Sequence, residues 1–200
     1  MKIDLHVHAR ERSNCATVDE AGQIRAAMAA GLDGLAFTDH HLLASKEHLA
    51  LLNKQYAPFR IFTGIEVEAD QEHWVVLGVH EHALESPGWR YPDLLDYVHS
   101  RGGFIILAHP FRYTSEVRVD LENQPPDGIE YRSTNTPQAR EAEILSIAAR
   151  CGMAAFTNSD GHRPGAVGKY FTVLPEYGKN DQDLLKILQS MKPQDVNGPA

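Results

Sequence analysis

Asp4, His6 and His8 alternate with Ile3, Leu5 and Val7 at the start of the chain. In a strand the side-chain period is two, so the carboxylate and both imidazoles share one face and the aliphatic groups share the other. Two readings fit these residues alone. One is a half-exposed edge strand whose polar face meets water. The other is a histidine pair gripping a metal ion at a strand end. Further along, His40, Glu66, His73, His109, and Asp160 with His162 offer the same chemistry. The chain holds 11 histidines in 200 residues, and the excess falls largely at these points. Imidazoles and carboxylates without thiolates suit zinc, manganese or iron. These ligands exceed what one four- to six-coordinate ion takes, so at least two ions sharing a carboxylate are expected. Two ions ~3.5–4 Å apart are the usual arrangement for hydrolysing phosphate esters: one activates a water and the pair holds the developing charge.

The elements that must position these groups are legible as short apolar segments. Strands are expected at 3–7, 34–38, 59–68, 74–79, 103–108, 128–131, 153–157 and 170–174. Thr17 to Glu20 fits a capping box, and Ile24, Ala27, Met28 and Leu32 follow at helical spacing, with Gly31 as a stop. Further helices are expected at 45–56, with Leu49 and Leu52 inward, and at 92–100, with Pro92 in the first turn. Another starts at Thr136 and is stopped by Gly152, and the last spans 181–191 with Leu184, Leu185 and Leu188 inward. The few residues between Glu68 and Trp74 suit a hairpin or bulged turn better than a helical crossover. Strand then helix, repeated in one domain, argues for a parallel sheet or barrel with helices outside. In such a barrel the carboxyl ends of the strands gather at one rim, which carries the chemistry. No Gly-x-Gly-x-x-Gly loop follows the first strand, so a dinucleotide fold has no support.

Composition narrows the class. A hydrophobic fraction of 42% describes an ordinary globular chain. The net charge of -8 argues against a general nucleic-acid-binding surface, leaving a short or mononucleotide substrate as the nucleic-acid case. It does not exclude an anionic substrate at a site made locally positive by metal. No apolar run approaches the ~18 residues of a membrane span, and the first residues lack a signal peptide's apolar segment. Cys15 and Cys151 are too few for a disulfide framework or a cysteine zinc site. A cytoplasmic protein with no membrane partner is expected.

The motifs Asp4-Leu5-His6-Val7-His8, Thr38-Asp39-His40, Gly64-Ile65-Glu66, His109-Pro110-Phe111-Arg112 and Asn158-Ser159-Asp160-Gly161-His162 resemble, in order, the successive motifs of the PHP (polymerase and histidinol phosphatase) family. The resemblance runs to about Leu174. It implies an α/β fold, a distorted TIM-like (β/α)7 barrel forming a single domain over 1–192 with a C-terminal tail at 193–200. It also implies a site with two or three divalent ions (Zn, Mn or Fe) held by His6, His8, His40, Glu66, His73, His109, Asp160 and His162. His73 is matched through its spacing to Leu77-Gly78. In family terms Glu66 bridges two ions, with His6, His8 and Asp160 on one and His73 and His109 on the other; His40 and His162 serve a third. The chain departs from the family at Asn14, where many members carry an Asp or His that completes the third site. A neutral amide is a poor ligand there, and Cys15 beside it reads as an ordinary loop thiol.

Arg112 and Arg163 follow ligand motifs closely and could hold a substrate phosphate with their planar donor forks; Arg10 and Arg12 rank below them. Asp4 and Asp39 could orient histidines from behind, although Asp39 could equally cap a turn. Glu68 reads as a solvated rim residue, and His41, His48, His80, His82 and His99 as surface or packing residues. The expected activity is hydrolysis of a small phosphate ester by a metal-activated hydroxide. The leaving group takes its proton from a metal-bound water, or from His162 or His40, and the loop over 111–127 could act as a partial lid. Two rivals remain. Amidohydrolase-type barrels that cleave C–N or C–O bonds also begin with a His-x-His pair, but bridge their metals with lysine where this chain has Glu66. The third reading is a non-catalytic module.

Overall fold

The structure is a computed structural model that describes residues 1–192 together with the backbone of Val196–Asn197. The rest of the tail expected at 193–200 lies outside the described residues.

The first strand, β1 (Lys2–Val7), is not an edge strand with a wet face. Asp4, His6 and His8 are all fully buried. It lies between β2 (Gly34–Phe37), which runs parallel to it, and β8 (Thr172–Val173), which runs antiparallel. The sheet continues through β3 (Arg60–Ala69), β4 (Glu72–Leu77), β5 (Phe104–Ala108), β6 (Gly128–Arg132) and β7 (Ala154–Thr157), with the Val196–Asn197 pair, β9, beyond. The segment after β7 brings the two sides of the sheet together. Val7 and Gly161 form a parallel bridge, and the amides of His8 and Gly161 donate to the carbonyls of Gly161 and His6. The result is the nearly closed TIM-like barrel expected.

Between β1 and β7, one strand runs against the others. Ala69 pairs with Glu72 across a two-residue turn in which Asp70 and Gln71 both have positive φ, 49° and 66°. That is the backbone a two-residue hairpin needs, because its twist matches the twist of the strands. Reversing β4 places His73 opposite Glu68 on one side and Ala108 on the other, so the beginning of β4 reaches the same rim as the ends of β3 and β5.

The helices cover the barrel as the apolar spacing requires. Helix α1 (Glu20–Ala29) begins two residues later than the capping box suggests: Asp19 is the N-cap and accepts from the Gly22 amide. Met28, expected inward, is 43% exposed, and Ile24 and Ala27 carry the buried face. Helix α2 (Lys46–Gln55) is capped by Ser45 and buries Leu49 and Leu52. Helix α3 (Tyr91–Ser100) has Pro92 in its first turn. Helix α4 (Glu141–Cys151) is preceded by a short 3-10 turn, Gln138–Arg140, where a continuous helix was expected; Gly152 ends it at φ 73°. That left-handed conformation costs glycine little. Helix α5 (Asp181–Ser190) turns Leu184, Ile187 and Leu188 inward, with Leu185 only partly covered. These side chains close the barrel end away from the rim by packing with Phe62, Val75, Ile106 and Phe156. Two outer clusters lie beneath α1–α2 and beneath α3–α4. Among the described residues, no helix is long and apolar enough to cross a membrane.

Candidate metal centre

The same rim collects all eight side chains. Even-numbered positions of β3 face inward and aim Glu66 into the barrel mouth; on β1 the register shifts between Asp4 and Val7, and past that irregularity Val7 packs in an outer cluster while His6 and His8 turn into the mouth. His73 enters on β4, and His40, His109, Asp160 and His162 sit just past the ends of β2, β5 and β7. The chain turns sharply here. His109 and Asp160 have φ of 28° and 50°, and Phe111 has 65°. Such backbone is uncommon outside glycine and concentrates at functional sites.

Glu66 is the hub. Its Oε1 lies 2.7 Å from His73 Nδ1 and 3.0 Å from His109 Nε2. Its Oε2 lies 3.1–3.2 Å from His8 Nε2, His6 Nε2 and His40 Nδ1. Asp160 Oδ1 lies 3.4 Å from His6 Nε2, 3.2 Å from His8 Nε2 and 3.2 Å from His162 Nδ1. The donor atoms fall into three groups compact enough to hold an ion: His6, Glu66, His109 and Asp160; His40, Glu66 and His73; and His8, His40 and His162. This grouping differs from the family assignment, in which His8 joins His6 and His109 joins His73.

Whether a cation fits can be judged from the buried atoms themselves. Among the described residues, His8 Nε2 and Asp160 Oδ1 are buried with no hydrogen-bond partner, yet they lie 3.2 Å apart. An unsatisfied buried polar atom is costly, and a shared cation would satisfy both. Bonds of about 2.0–2.1 Å at tetrahedral or octahedral angles put neighbouring ligand atoms roughly 2.8–3.4 Å apart, a range that includes the 3.1–3.4 Å found around Glu66 Oε2 and Asp160 Oδ1. The donor set fits divalent metal.

The electrostatics agree. Burial pushes the Glu66 carboxyl up, but His6, His109 and His73 outweigh it and hold the group well below the usual carboxylate range. Asp160 behaves alike, with burial overcome by His6, His162 and His8. Burial pulls His6 down, but Asp160, Glu130 and Glu66 raise it well above its ordinary value; His8 is likewise raised to about 9 by Asp160 and Glu66 against its burial. The two carboxylates therefore demand positive charge within reach, and protons or a divalent cation can supply it. His40 is the exception: burial outweighs the pull of Glu66 and drives it to about 3, so its imidazole is neutral and free to ligate.

Behind these groups stand residues that the sequence pattern did not single out. Glu130, inside β6 and 1% exposed, accepts from His6 Nδ1 at 3.2 Å, the His109 amide at 3.0 Å and Asn158 Nδ2 at 3.1 Å. Asn135 Nδ2 donates to Asp160 Oδ2 at 2.6 Å, beside Arg112 at 3.2 Å. Asp4 does not touch an imidazole: it accepts from the amides of His6 and Ser159, and burial raises it to about 7 against those bonds. Asp39 reaches the histidines only through Ser13.

The centre opens on a cleft of about 510 Å³ lined by Cys15, His40, His73, Arg112, Tyr113, Thr134, Asn135, Asp160, His162 and Arg163. Arg163 is exposed there, and Tyr113 stands beside His73 at 63% exposure. Arg12 is turned away from the cleft and buried against Asp39 and Glu20, so it is not placed to meet a phosphate. Glu68 is exposed, as expected of a rim residue, and Asn14 is exposed. His48 pairs with Glu20, His82 with Glu85 and His99 with Asp127, all away from the centre.

A sequence model described as PHP-associated matches residues 141–192. No curated protein matches the chain in sequence. Solved structures share the fold at low identity. A two-domain protein from Bacteroides vulgatus containing a predicted PHP-like metal-dependent phosphoesterase superposes at TM-score 0.68 and 16% identity, over 99% of this chain and 63% of the other, so the chain spans less than two thirds of that protein. PsfC from Pseudomonas syringae gives TM-score 0.69 at 20% identity, over 94% of this chain and 88% of its own. An amidohydrolase from Chromobacterium violaceum, solved with bound sulfate and no metal, gives 0.67 at 20%, over 98% and 99% respectively.

Proposed function

We propose, from the premise that the chain belongs to the PHP family by its barrel and its PHP-associated segment over 141–192, that it is a metal-dependent phosphoric ester hydrolase acting on a small phosphate ester. The observation that carries this reading is the division of Glu66. One of its oxygens serves His73 and His109, and the other serves His6, His8 and His40. A carboxylate split between two sets of imidazoles is the group two ions would share, and a glutamate takes the place of the lysine that amidohydrolase-type centres use. His6, His8, His73, His109 and Asp160 complete those two positions. A third ion would draw on His40 and His162, what remains of the group His8, His40 and His162, which has no carboxylate, so its site is the weakest of the three. Zinc, manganese or iron bound there would lower the pKa of a water and stabilise charge on the phosphoryl group.

The chain's own side chains do the rest. Arg112 commits one N–H to Asp160 Oδ2 and lines the cleft; a guanidinium has five donors, so others remain for a substrate oxygen. Arg163 on the same cleft supplies a second fork. His162 donates through Nδ1 to the Asp160 carbonyl at 3.0 Å, which fixes the ring; it hands a proton to the leaving oxygen only as the imidazolium, which carries a second hydrogen on Nε2. His40, driven to about 3 by burial, holds no extra proton at neutral pH and serves as a ligand.

A panel of phosphate mono- and diesters assayed with Mn²⁺ or Zn²⁺ restored to stripped protein tests the reading. Metal-dependent turnover that Glu66→Gln abolishes is expected. Turnover of amides or lactones with none of any phosphate ester would overturn it in favour of the amidohydrolase reading, and no turnover of either class would favour a non-catalytic module.

A further inference from the structure

A second buried cluster runs from the metal centre toward the surface, and the mechanism above does not use it. Arg12 lies over the Phe37 ring at 5.4 Å with its side chain 9% exposed. Its Nε donates to Asp39 Oδ2 at 2.8 Å, and one terminal nitrogen is also 2.8 Å from that oxygen. Its other terminal nitrogen pairs with Glu20, whose second oxygen meets His48 Nε2 at 2.6 Å. The remaining oxygen of Asp39, Oδ1, accepts from the Ala9 amide at 2.7 Å and from Ser13 Oγ at 2.6 Å.

We propose that Arg12 is a positioning residue for the metal centre, acting on His8 through Asp39 and Ser13; the proposal rests on the metal reading above. The argument is a count of hydrogens. A serine hydroxyl has one proton, and a carboxylate oxygen 2.6 Å away can only accept it. The other two contacts of Ser13 Oγ must then be to its lone pairs. One is the His40 amide at 3.1 Å, and the other is His8 Nδ1 at 3.3 Å. His8 therefore carries a hydrogen on Nδ1, which makes Nε2, facing Glu66 Oε2 and Asp160 Oδ1, its nitrogen for a metal. Arg12 makes this assignment unique. By donating from Nε to Oδ2, with its charge held against that oxygen, it commits Oδ1 to Ser13 and Ala9 and stops the carboxylate from rotating. Ser13 touches the backbone of one candidate ligand and the side chain of another, so the same bonds set where His40 enters the rim.

The test reads the ring directly. In ¹⁵N-labelled, Zn²⁺-loaded protein, two-bond ¹H–¹⁵N correlations should show His8 protonated at Nδ1 and metal-bound at Nε2. Arg12→Lys keeps the charge and loses the fork; Ser13→Ala deletes one oxygen and no charge. Each should weaken Zn²⁺ binding about 10–100-fold in a chelator competition, the usual cost of disturbing a ligand's outer partner, and should shift or double the His8 ring signals. If Arg12→Lys fails to fold, Ser13→Ala decides. Wild-type His8 found bare at Nδ1, or folded variants that hold Zn²⁺ within twofold of wild type, overturns this proposal alone. Wild-type protein that binds no Zn²⁺ overturns the metal reading and this proposal with it.

Discussion

Glu130→Gln is the substitution whose consequence follows most directly from the structure. It keeps the shape of a side chain that is 1% exposed and changes only what that side chain can accept. Glu130 Oε1 takes hydrogens from His6 Nδ1 and Asn158 Nδ2, and Oε2 takes one from the His109 amide. All three partners donate. A glutamine offers one oxygen and one NH₂, so in its better orientation the oxygen faces His6 and Asn158 while the NH₂ opposes the His109 amide. At least one buried donor is left unpaired, at about 1–3 kcal/mol. For a chain of this size that lowers Tm by about 2–12 °C. The same change loosens His6 and shifts the turn that carries His109, two groups that converge on Glu66, so Zn²⁺ or Mn²⁺ affinity should fall about 10–100-fold. Thermal unfolding of stripped protein reads the first effect, and competition against a chelator reads the second. A variant that matches wild type in both would refute the reasoning, because it would mean that a buried carboxylate serving three donors can be neutralised without cost.

Asn135→Ala removes the 2.6 Å bond to Asp160 Oδ2 and leaves that oxygen to Arg112; metal affinity should fall about tenfold with little change in Tm, as chelator competition and a thermal melt would show. Adding Zn²⁺ or Mn²⁺ to stripped protein at 100 times its Kd should stabilise the fold by about 2.7 kcal/mol, raising Tm by roughly 5–11 °C, and Glu66→Gln should remove most of that rise. Asp4 gives a pH signature. Burial raises it to about 7 in the fold, so between about pH 4 and 7 the folded state holds a proton the unfolded state has released, and wild type loses stability as pH rises through that window. Asp4→Asn keeps both amide bonds and cannot ionise; in denaturant melts of stripped protein its advantage over wild type should grow by a few kcal/mol between pH 5 and pH 8, and an unchanged difference would exclude the shift.

The parts of this molecule that could be read from the sequence are those governed by a period. Alternation paired His6 with His8 across the outward Val7, although a register shift between Asp4 and Val7 breaks the period that had put Asp4 with them, and helical spacing with Ser45 and Gly152 located two helix ends within a residue. The period could not say whether β1's polar face was wet or buried; only the sheet order, with neighbours on both sides, decides that. Glu130 was within reach of the same logic. It lies between Ile129 and Tyr131, which pack outward, so a carboxylate at that parity had to face the barrel interior. Met28 went wrong although its spacing from Ile24 fits, because the packed stripe is carried by Glu20, Gln23, Ile24 and Ala27 and Met28 falls beyond its edge.

Arg12 and Asn135 belong to loops, where no period exists. Arg12 meets Asp39 across 27 residues of chain and Asn135 meets Asp160 across 25, so their partners depend on where two strand ends come to rest. The ligand candidates escape this uncertainty because strand ends are placed by the sheet itself. His73 shows how tightly. It begins its strand instead of ending one, and on a parallel β4 that position would lie at the far end of the barrel. The two-residue turn at Asp70–Gln71 forces β4 to run backward, and that reversal brings Nδ1 of His73 to 2.7 Å from Glu66. Lengthening this turn would free the direction of β4, so the composition of the metal centre depends on the turn as much as on the residues that ligate.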